Sequence, residues 1–216
     1  NGTLLYLAGG GAAQEREIAW LDRGGKPGKV LLKKKGIGNF TLSPDGTQVV
    51  YSSGAQSATG DLWLHNVAHG ATQRFTFGLF QQVFSPLWSP DSTSVVFTTN
   101  PGYELYRKAT QTSAKEESLG ARGTNTIATS WLGDGKLLVY SQTGDTTKDD
   151  LWLLPVLAKG EAGERKPKLF KQTPFNENNG QISPDGRWMV YSSDASGQFE
   201  IYIEPMPAGG APRQIS

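Results

Sequence analysis

Four turns of nearly one sequence punctuate this chain of 216 residues: SPDG at 43–46, SPDS at 89–92, LGDG at 132–135 and SPDG again at 183–186. Their aspartates, Asp45, Asp91, Asp134 and Asp185, recur at intervals of 46, 43 and 51 residues. A β-rich run follows every tetrad: TQVVYSS (47–53), TSVVFTT (93–99), KLLVYSQ (136–142) and RWMVYSS (187–193). After a polar loop, an acidic residue opens a second apolar run: DLWLHNV (61–67), ELYRKAT (104–110), DLWLLPV (150–156) and EIYIEPM (200–206). A weaker third run comes next, as in TQRFTF (72–77) and PKLFKQT (167–173).

The tetrad has the chemistry of a tight turn. Serine accepts a local backbone hydrogen bond, proline presets φ, aspartate suits the third position, and glycine supplies the left-handed conformation. Ser92 stands where the other copies have glycine, and local strain is expected there. A period of 40–50 residues with four short strands per unit is the signature of propeller blades. The register also runs back to the N-terminus through TLLYLAG (3–9), REIAWLD (16–22) and KVLLKKK (29–35). The predicted fold is all-β: a β-propeller of about five four-stranded antiparallel blades, near 1–35, 36–77, 78–119, 120–173 and 174–216. The first blade shows only three strands. Its innermost strand is expected before Asn1 or just after Ser216, so a larger ring, or another chain covering the open ends, is expected beside the simpler closed five-blade monomer.

Composition agrees and narrows the function. With 27 Gly, 12 Pro and 10% aromatics, the chain reads as short strands joined by turns. Lys and Arg number 21 against 20 Asp and Glu, giving no reason to expect a nucleic-acid partner. The basic run Lys33–Lys35 reads as a solvated strand end. There is no cysteine, hence neither disulfide nor thiolate metal site. No run approaches the ~18 apolar residues of a spanning helix, so this segment is not expected to insert in a membrane. No secretory leader is visible.

At SPDGTQVVYSS with DLWLHNV the repeat resembles the TolB-type, WD-repeat-like propellers of bacteria. The run KLFKQTPFNENNGQISPDGRWMVYSSDASGQFEIYIEPMP (168–207), after DLWLLPV, is similar to the C-terminal propellers of membrane-anchored bacterial serine/threonine kinases. This resemblance implies a sensor or interaction module on the periplasmic or extracellular side of a bacterial membrane. Related propellers stand alone as TolB-like periplasmic scaffolds, or gate prolyl-oligopeptidase-like peptidases whose catalytic domain would lie elsewhere. The chain has no HRD, DFG or glycine-rich phosphate loop.

Catalytic chemistry is not legible. There is no G-x-S-x-G elbow, no H-E-x-x-H and no EF-hand loop. The two histidines are His65, within a predicted strand, and His69, in the adjoining turn. The oxygen-rich segments 145–150 and 194–200 read as turns rather than calcium loops, and the sequons at 1–3 and 39–41 as chance. Asp61, Glu104, Asp150 and Glu200 recur in register, which favours a structural task, expected to be the binding of donors between blades. Trp63, Tyr106, Trp152 and Tyr202 read as packing between blades. No enzyme, cofactor or metal is expected.

A ligand would sit where the loops leading into the innermost strands converge: 36–38, 78–84, 120–126 and 174–179. Phe80, Gln81, Gln82, Phe84, Asn125, Asn176, Glu177, Asn178 and Gln181 are the candidate residues. Stacking surfaces mixed with amides suit a protein, peptide or saccharide.

Overall fold

The computed structural model describes residues 4–9, 15–54, 60–111, 113–157, 163–207 and 210–216; the sequon at 1–3 lies outside them. Every regular element among these residues is a β-strand. The first sheet has three strands, β1 (Leu4–Gly9), β2 (Glu15–Leu21) and β3 (Pro27–Lys35). The second holds β4 (Ile37–Leu42), β5 (Gln48–Ser53), β6 (Leu62–Asn66) and β7 (Thr72–Arg74). The third holds β8 (Gln82–Trp88), β9 (Ser94–Asn100), β10 (Glu104–Ala109) and β11 (Glu117–Arg122). The fourth holds β12 (Ile127–Trp131), β13 (Leu137–Thr143), β14 (Asp149–Pro155) and β15 (Lys168–Lys171). The fifth holds β16 (Glu177–Ile182), β17 (Trp188–Ser193), β18 (Glu200–Pro205) and β19 (Arg213–Gln214). All five are antiparallel meanders in chain order, as the repeat predicts.

The tetrads join the innermost strand of each four-stranded sheet to the second. The turns are closed by hydrogen bonds from Gly46 N to Ser43 O (2.8 Å), Ser92 N to Ser89 O (3.0 Å), Gly135 N to Leu132 O (2.9 Å) and Gly186 N to Ser183 O (2.8 Å). The serine hydroxyl accepts the first amide of the next strand, from Gln48, Ser94 and Trp188, each at 3.0 Å. It also donates to the aspartate two residues on. That aspartate caps the turn further by accepting from the backbone amide two residues beyond it. Gly46, Gly135 and Gly186 sit at φ of 75°, 72° and 72°, and Ser92 is forced to φ 61°. Its hydroxyl gains a bond in return, accepting from Asp45 N of the preceding sheet at 3.1 Å.

A bulge interrupts every innermost strand, shifting register between Ile37 and Phe40, Phe84 and Leu87, Ala128 and Ser130, and Asn178 and Gln181. Bulges sharpen the local twist, and side chains stitch these strands together where no ladder runs between sheets. Thr129 Oγ1 donates to Gly180 O (2.7 Å), and Ser130 Oγ accepts from Ile182 N (3.1 Å).

Consecutive sheets stack face to face, and each has a leading face toward the next sheet and a trailing face toward the previous one. Val50, Leu62 and Leu64 of the second sheet bury against Val95, Phe97 and Tyr106 of the third. Val96 and Leu105 of the third meet Leu138, Tyr140 and Trp152 of the fourth. Val139 and Leu151 of the fourth meet Met189, Tyr191 and Tyr202 of the fifth. Ile18 of the first meets Val49, Tyr51 and Trp63 of the second. Trp63, Tyr106, Trp152 and Tyr202 therefore pack between sheets, as expected from their spacing.

The turn aspartates give the fold an acid sensitivity. Asp185 is held at about 2, first by the Ser183 hydroxyl and then by the Arg187 amide and side chain. A carboxylate depressed below its unfolded value of about 3.9 contributes stability that is complete above that value and lost as pH falls toward 2. Asp185→Asn is expected to lower the melting temperature at pH 6 and to flatten its decline between about pH 4 and pH 2. Thermal melts across that range check it.

Candidate functional site

The loops leading into β4, β8, β12 and β16 share one end of the stack with the loops between second and third strands. Main-chain bonds tie these two sets together. Gly60 N donates to Gln81 O (3.0 Å), Val83 N to Gly60 O (3.1 Å) and Gln81 N to Asn100 O (3.1 Å). Gly60 has to be glycine, because a Cβ there would lie 2.3 Å from Ser53 O. Backbone strain gathers at this end: Ser85, Tyr103, Asn125 and Asn179 take φ of 49°, 45°, 51° and 55°. Residues held in the left-handed region cluster at functional positions.

Between the second and third sheets, two adjoining hollows open here. One of about 150 Å³ is lined by Asn39, Ser52, Gly60, Gln82 and Phe84, among others. Its neighbour, about 360 Å³, shares Ser53 and Gly60 and is walled by Asp61, Trp63, Arg74 and Phe80. Phe80 lies 4.7 Å from the Tyr106 ring, and Phe84 meets Tyr103 edge-on at 6.0 Å. Asp61 is held by Arg74 Nε (3.0 Å), Thr76 Oγ1 (2.8 Å) and Gly78 N (3.0 Å).

Of the residues singled out in the sequence, Phe80, Gln82 and Phe84 line these hollows. Gln81 is exposed beside them and contributes its main chain. The others lie on the fourth and fifth sheets and serve mainly internal bonds. Asn125 Nδ2 donates to Thr143 Oγ1 (3.3 Å). Asn176 donates from N and Nδ2 to Asp194, both at 2.8 Å. Asn178 Oδ1 accepts from the Ser192 hydroxyl and from Asn179 Nδ2. Gln181 Nε2 donates to Thr129 O (2.7 Å). Glu177 is buried, accepting from Thr173 N and Oγ1 and from Ser193 Oγ. Asn39, Trp63 and Arg74 were not singled out as ligand contacts, and only the meeting of separate strands brings them to the hollows.

The recurring acids bind mainly within their own sheet, although Asp61 also accepts from Gly78 N at the start of the segment leading into the third sheet. Like Asp61, Glu104 meets Ser118, Asp150 accepts from Gln172 Nε2 (2.9 Å) and Glu200 from Ser216 Oγ (2.8 Å). Each clamps the start of a third strand to the fourth strand or its exit. His65 is buried with Nδ1 2.9 Å from Thr72 Oγ1, and burial together with the Lys29 charge lowers its pKa. His69 caps a turn through its amide, bonded to Asn66 Oδ1. Among the described residues, no three His, Asp or Glu side chains gather as metal ligands.

A further hollow of about 380 Å³ opens at the opposite end, between the turns of the third and fourth sheets, lined by Asp91, Arg107, Trp131 and Lys136 among others. The Trp131 indole N–H is buried there with no acceptor among the described residues. Its repeat counterpart, Trp88, donates to Thr41 O at 3.2 Å.

No family model matches the chain. It is 27% identical over 172 residues to the uncharacterized peptidase YuxL of Bacillus subtilis (strain 168), a match covering 74% of this chain and 23% of that protein. It superposes along 100% of its length on 53% of TolB from Acinetobacter baumannii, with TM-score 0.80 and 20% identity. The fold is a β-propeller, similar to that of TolB. A putative TolB from Agrobacterium tumefaciens matches 87% of this propeller and 65% of its own chain (TM-score 0.73, 17% identity). The β-propeller domain of the Trilobed protease from Pyrococcus furiosus matches 99% and 65% (TM-score 0.66, 14% identity). The chain thus spans less than two thirds of each of these proteins.

Glu177 yields a test of how the propeller treats a buried carboxyl at this end. Burial raises its pKa first, the Asp150 charge raises it further, and hydrogen bonds from Thr173 and Ser193 oppose the rise. The folded state then holds this proton more tightly than the unfolded chain, so ionisation lowers stability as pH climbs above about 4.5. Glu177→Gln is expected to flatten that decline; urea melts at pH 5 and pH 8 check it.

Proposed function

We propose that this propeller is a non-catalytic binding module on the periplasmic or extracellular side of a bacterial membrane, sensing or holding a protein, peptide or saccharide segment in the paired hollows between the second and third sheets. The observation that carries this reading is the hollow itself. Phe80 and Phe84 offer apolar and stacking surface near Asn39, Ser52 and Gln82, the mixture that suits a partially polar ligand. Support comes also from the recurring acids and from His65, which are engaged in holding strands. The TolB-type fold and the likeness of residues 168–207 to kinase-borne sensor propellers favour the extracytoplasmic setting.

The likeness to YuxL favours a second reading, a propeller that gates a peptidase active site carried elsewhere in a longer polypeptide. A fluorophosphonate probe applied to the natural polypeptide in its source cells separates the two, because it labels activated serine nucleophiles. The binding-module reading expects no labelling; labelling would transfer support to the gate. For the module itself, peptide and glycan arrays are expected to yield ligands whose affinity falls by roughly tenfold or more in Gln82→Ala with Phe84→Ala, the loss of about one hot-spot contact. An unchanged array profile with unchanged melting temperature would remove the hollows from the binding face.

A further inference from the structure

Three departures from the repeat meet at one place, the hollow of about 380 Å³ between the turns of the third and fourth sheets. The first is Arg107. Directly opposed residues of neighbouring strands share a face, and on the leading face a valine meets an aliphatic partner. Leu64 lies opposite Val50, Leu153 opposite Val139, and Ile203 opposite the half-buried Val190. The third sheet departs from this pattern, with Val96 opposite Arg107. Leu64 is buried against the third sheet, where the Phe97 and Tyr106 rings stack at 6.3 Å. A guanidinium in that position needs water or an acceptor at its edge, so the junction is not closed over it.

The second departure is in the turn. The fourth sheet has Leu132-Gly133-Asp134-Gly135, and Gly133, where the other tetrads carry Pro44, Pro90 and Pro184, lines the hollow. The third is Trp131, also in the lining, whose indole N–H lacks the acceptor that Trp88 finds in Thr41 O.

Arg107 leaves donors unused. It is held through Nη2 alone, by Glu117 Oε2 at 2.8 Å and Leu157 O at 3.5 Å, and its Nε and Nη1 meet no acceptor among the described residues. Lys136 adds an exposed ammonium at the mouth, and Pro90, Trp131, Val156 and Leu157 give the walls apolar surface. Two carboxylates also stand at the mouth. Asp91 accepts from the Ser89 hydroxyl (2.6 Å) and Thr93 N (3.0 Å), and Asp134 from Lys136 N (2.9 Å).

We propose that this hollow binds a monocarboxylate with an apolar body, its carboxylate on the Arg107 donors that Glu117 leaves open and its body against Trp131 and Val156. The site lies at the opposite end from the paired hollows and goes beyond the reading given for them. Five donors let one guanidinium hold a second carboxylate beside the first. The volume is within the range of small-ligand sites. Asp91 and Asp134 oppose a phosphate, or any ligand with a second negative charge, because like charges brought together are costly. A free organic acid and the C-terminal residue of a peptide both present this chemistry.

Isothermal titration calorimetry of the natural polypeptide with N-acetylphenylalanine, and with its neutral amide, tests the proposal. An acid of this size is expected to bind with a Kd of about 1 mM. The amide is expected to bind at least roughly tenfold more weakly, for want of the charge-assisted hydrogen bond. Equal affinities, or no binding of the acid up to about 10 mM, would overturn the proposal. A tetrapeptide ending in phenylalanine separates the two sources. Affinity at least equal to that of the acetylated residue supports the site as one for a peptide C-terminus, and weaker binding supports it as one for a free acid. Arg107→Leu, which restores the aliphatic residue of the repeat, is expected to keep or raise the melting temperature and to weaken acid binding by roughly tenfold or more. Unchanged affinity would place the acid elsewhere and overturn the proposal. Should that variant not fold, Arg107→Lys, which keeps the charge and loses the fork, is judged by the same criterion, loss of affinity for the acid.

Discussion

In this fold no sheet has a core of its own, and every buried apolar side chain is buried by a neighbour. The second strand of a sheet alternates, so Val139 faces forward while Leu138 and Tyr140 face back. Each face that a neighbour covers stabilises the sheet, because burial of apolar area is the dominant favourable term. Forward valines and leucines, compact and branched, fill the space left by flat rings stacked across two strands. Stability is then the sum of sheets and of their nearest-neighbour junctions, as in other repeat architectures. The bulged innermost strands and the SPDG turns set the twist and spacing at which these junctions meet.

One position in the repeat distinguishes the junctions from one another. The fifth residue of each third-strand run faces back, and it reads His65, Lys108, Leu154 and Glu204, all buried. Lys108 pairs with Glu116 at 2.7 Å and lies 5.4 and 5.0 Å from the Phe75 and Phe77 rings of the second sheet. Glu204 accepts from Lys171 of the fourth sheet at 3.0 Å, with the Tyr191 hydroxyl at 3.2 Å. Leu154 needs no partner and sits with Leu119 and Ala121 of the third sheet. Buried ion pairs add little net stability, but leaving one member unpaired is costly. Exchanging sheets between positions would take Lys108 away from the Phe75 and Phe77 rings and leave Glu204 without Lys171, so these residues favour the observed order of near-identical repeats.

The fold was legible in the sequence because its signals are local and repeated. A tetrad such as SPDG needs only its own turn, and VVYSS followed by DLWLHNV shows strand period and apolar identity within one unit. The site was legible only in part. Phe80, Gln82 and Phe84 border the hollows because the segment leading into β8 is anchored to Gly60, a neighbour of Trp63 and Arg74 that no spacing in the sequence discloses. Asn176, Asn178 and Gln181 look equally suited to a ligand, yet they satisfy backbone and side-chain groups around the bulge in β16. A bulge resets the alternation of a strand, so amide identity there does not tell which way the side chain points. Glu177 shows the same gap: its charge suggests a surface, and its neighbours Thr173 and Ser193 hold it inside.

The account rests on the forward valine being covered by the next sheet in three places and uncovered in one. Thermal unfolding of Val50→Ala, Val96→Ala, Val139→Ala and Val190→Ala in this chain measures that directly. A buried valine truncated to alanine loses about 1–3 kcal/mol, which for a domain of this size lowers the melting temperature by roughly 2–10 °C. The first three variants are expected to fall in that range and Val190→Ala to stay within about 1 °C of the parent, as surface substitutions do. Equal losses at all four positions would contradict the account, since they would show that the leading face of the fifth sheet is buried as deeply as the rest.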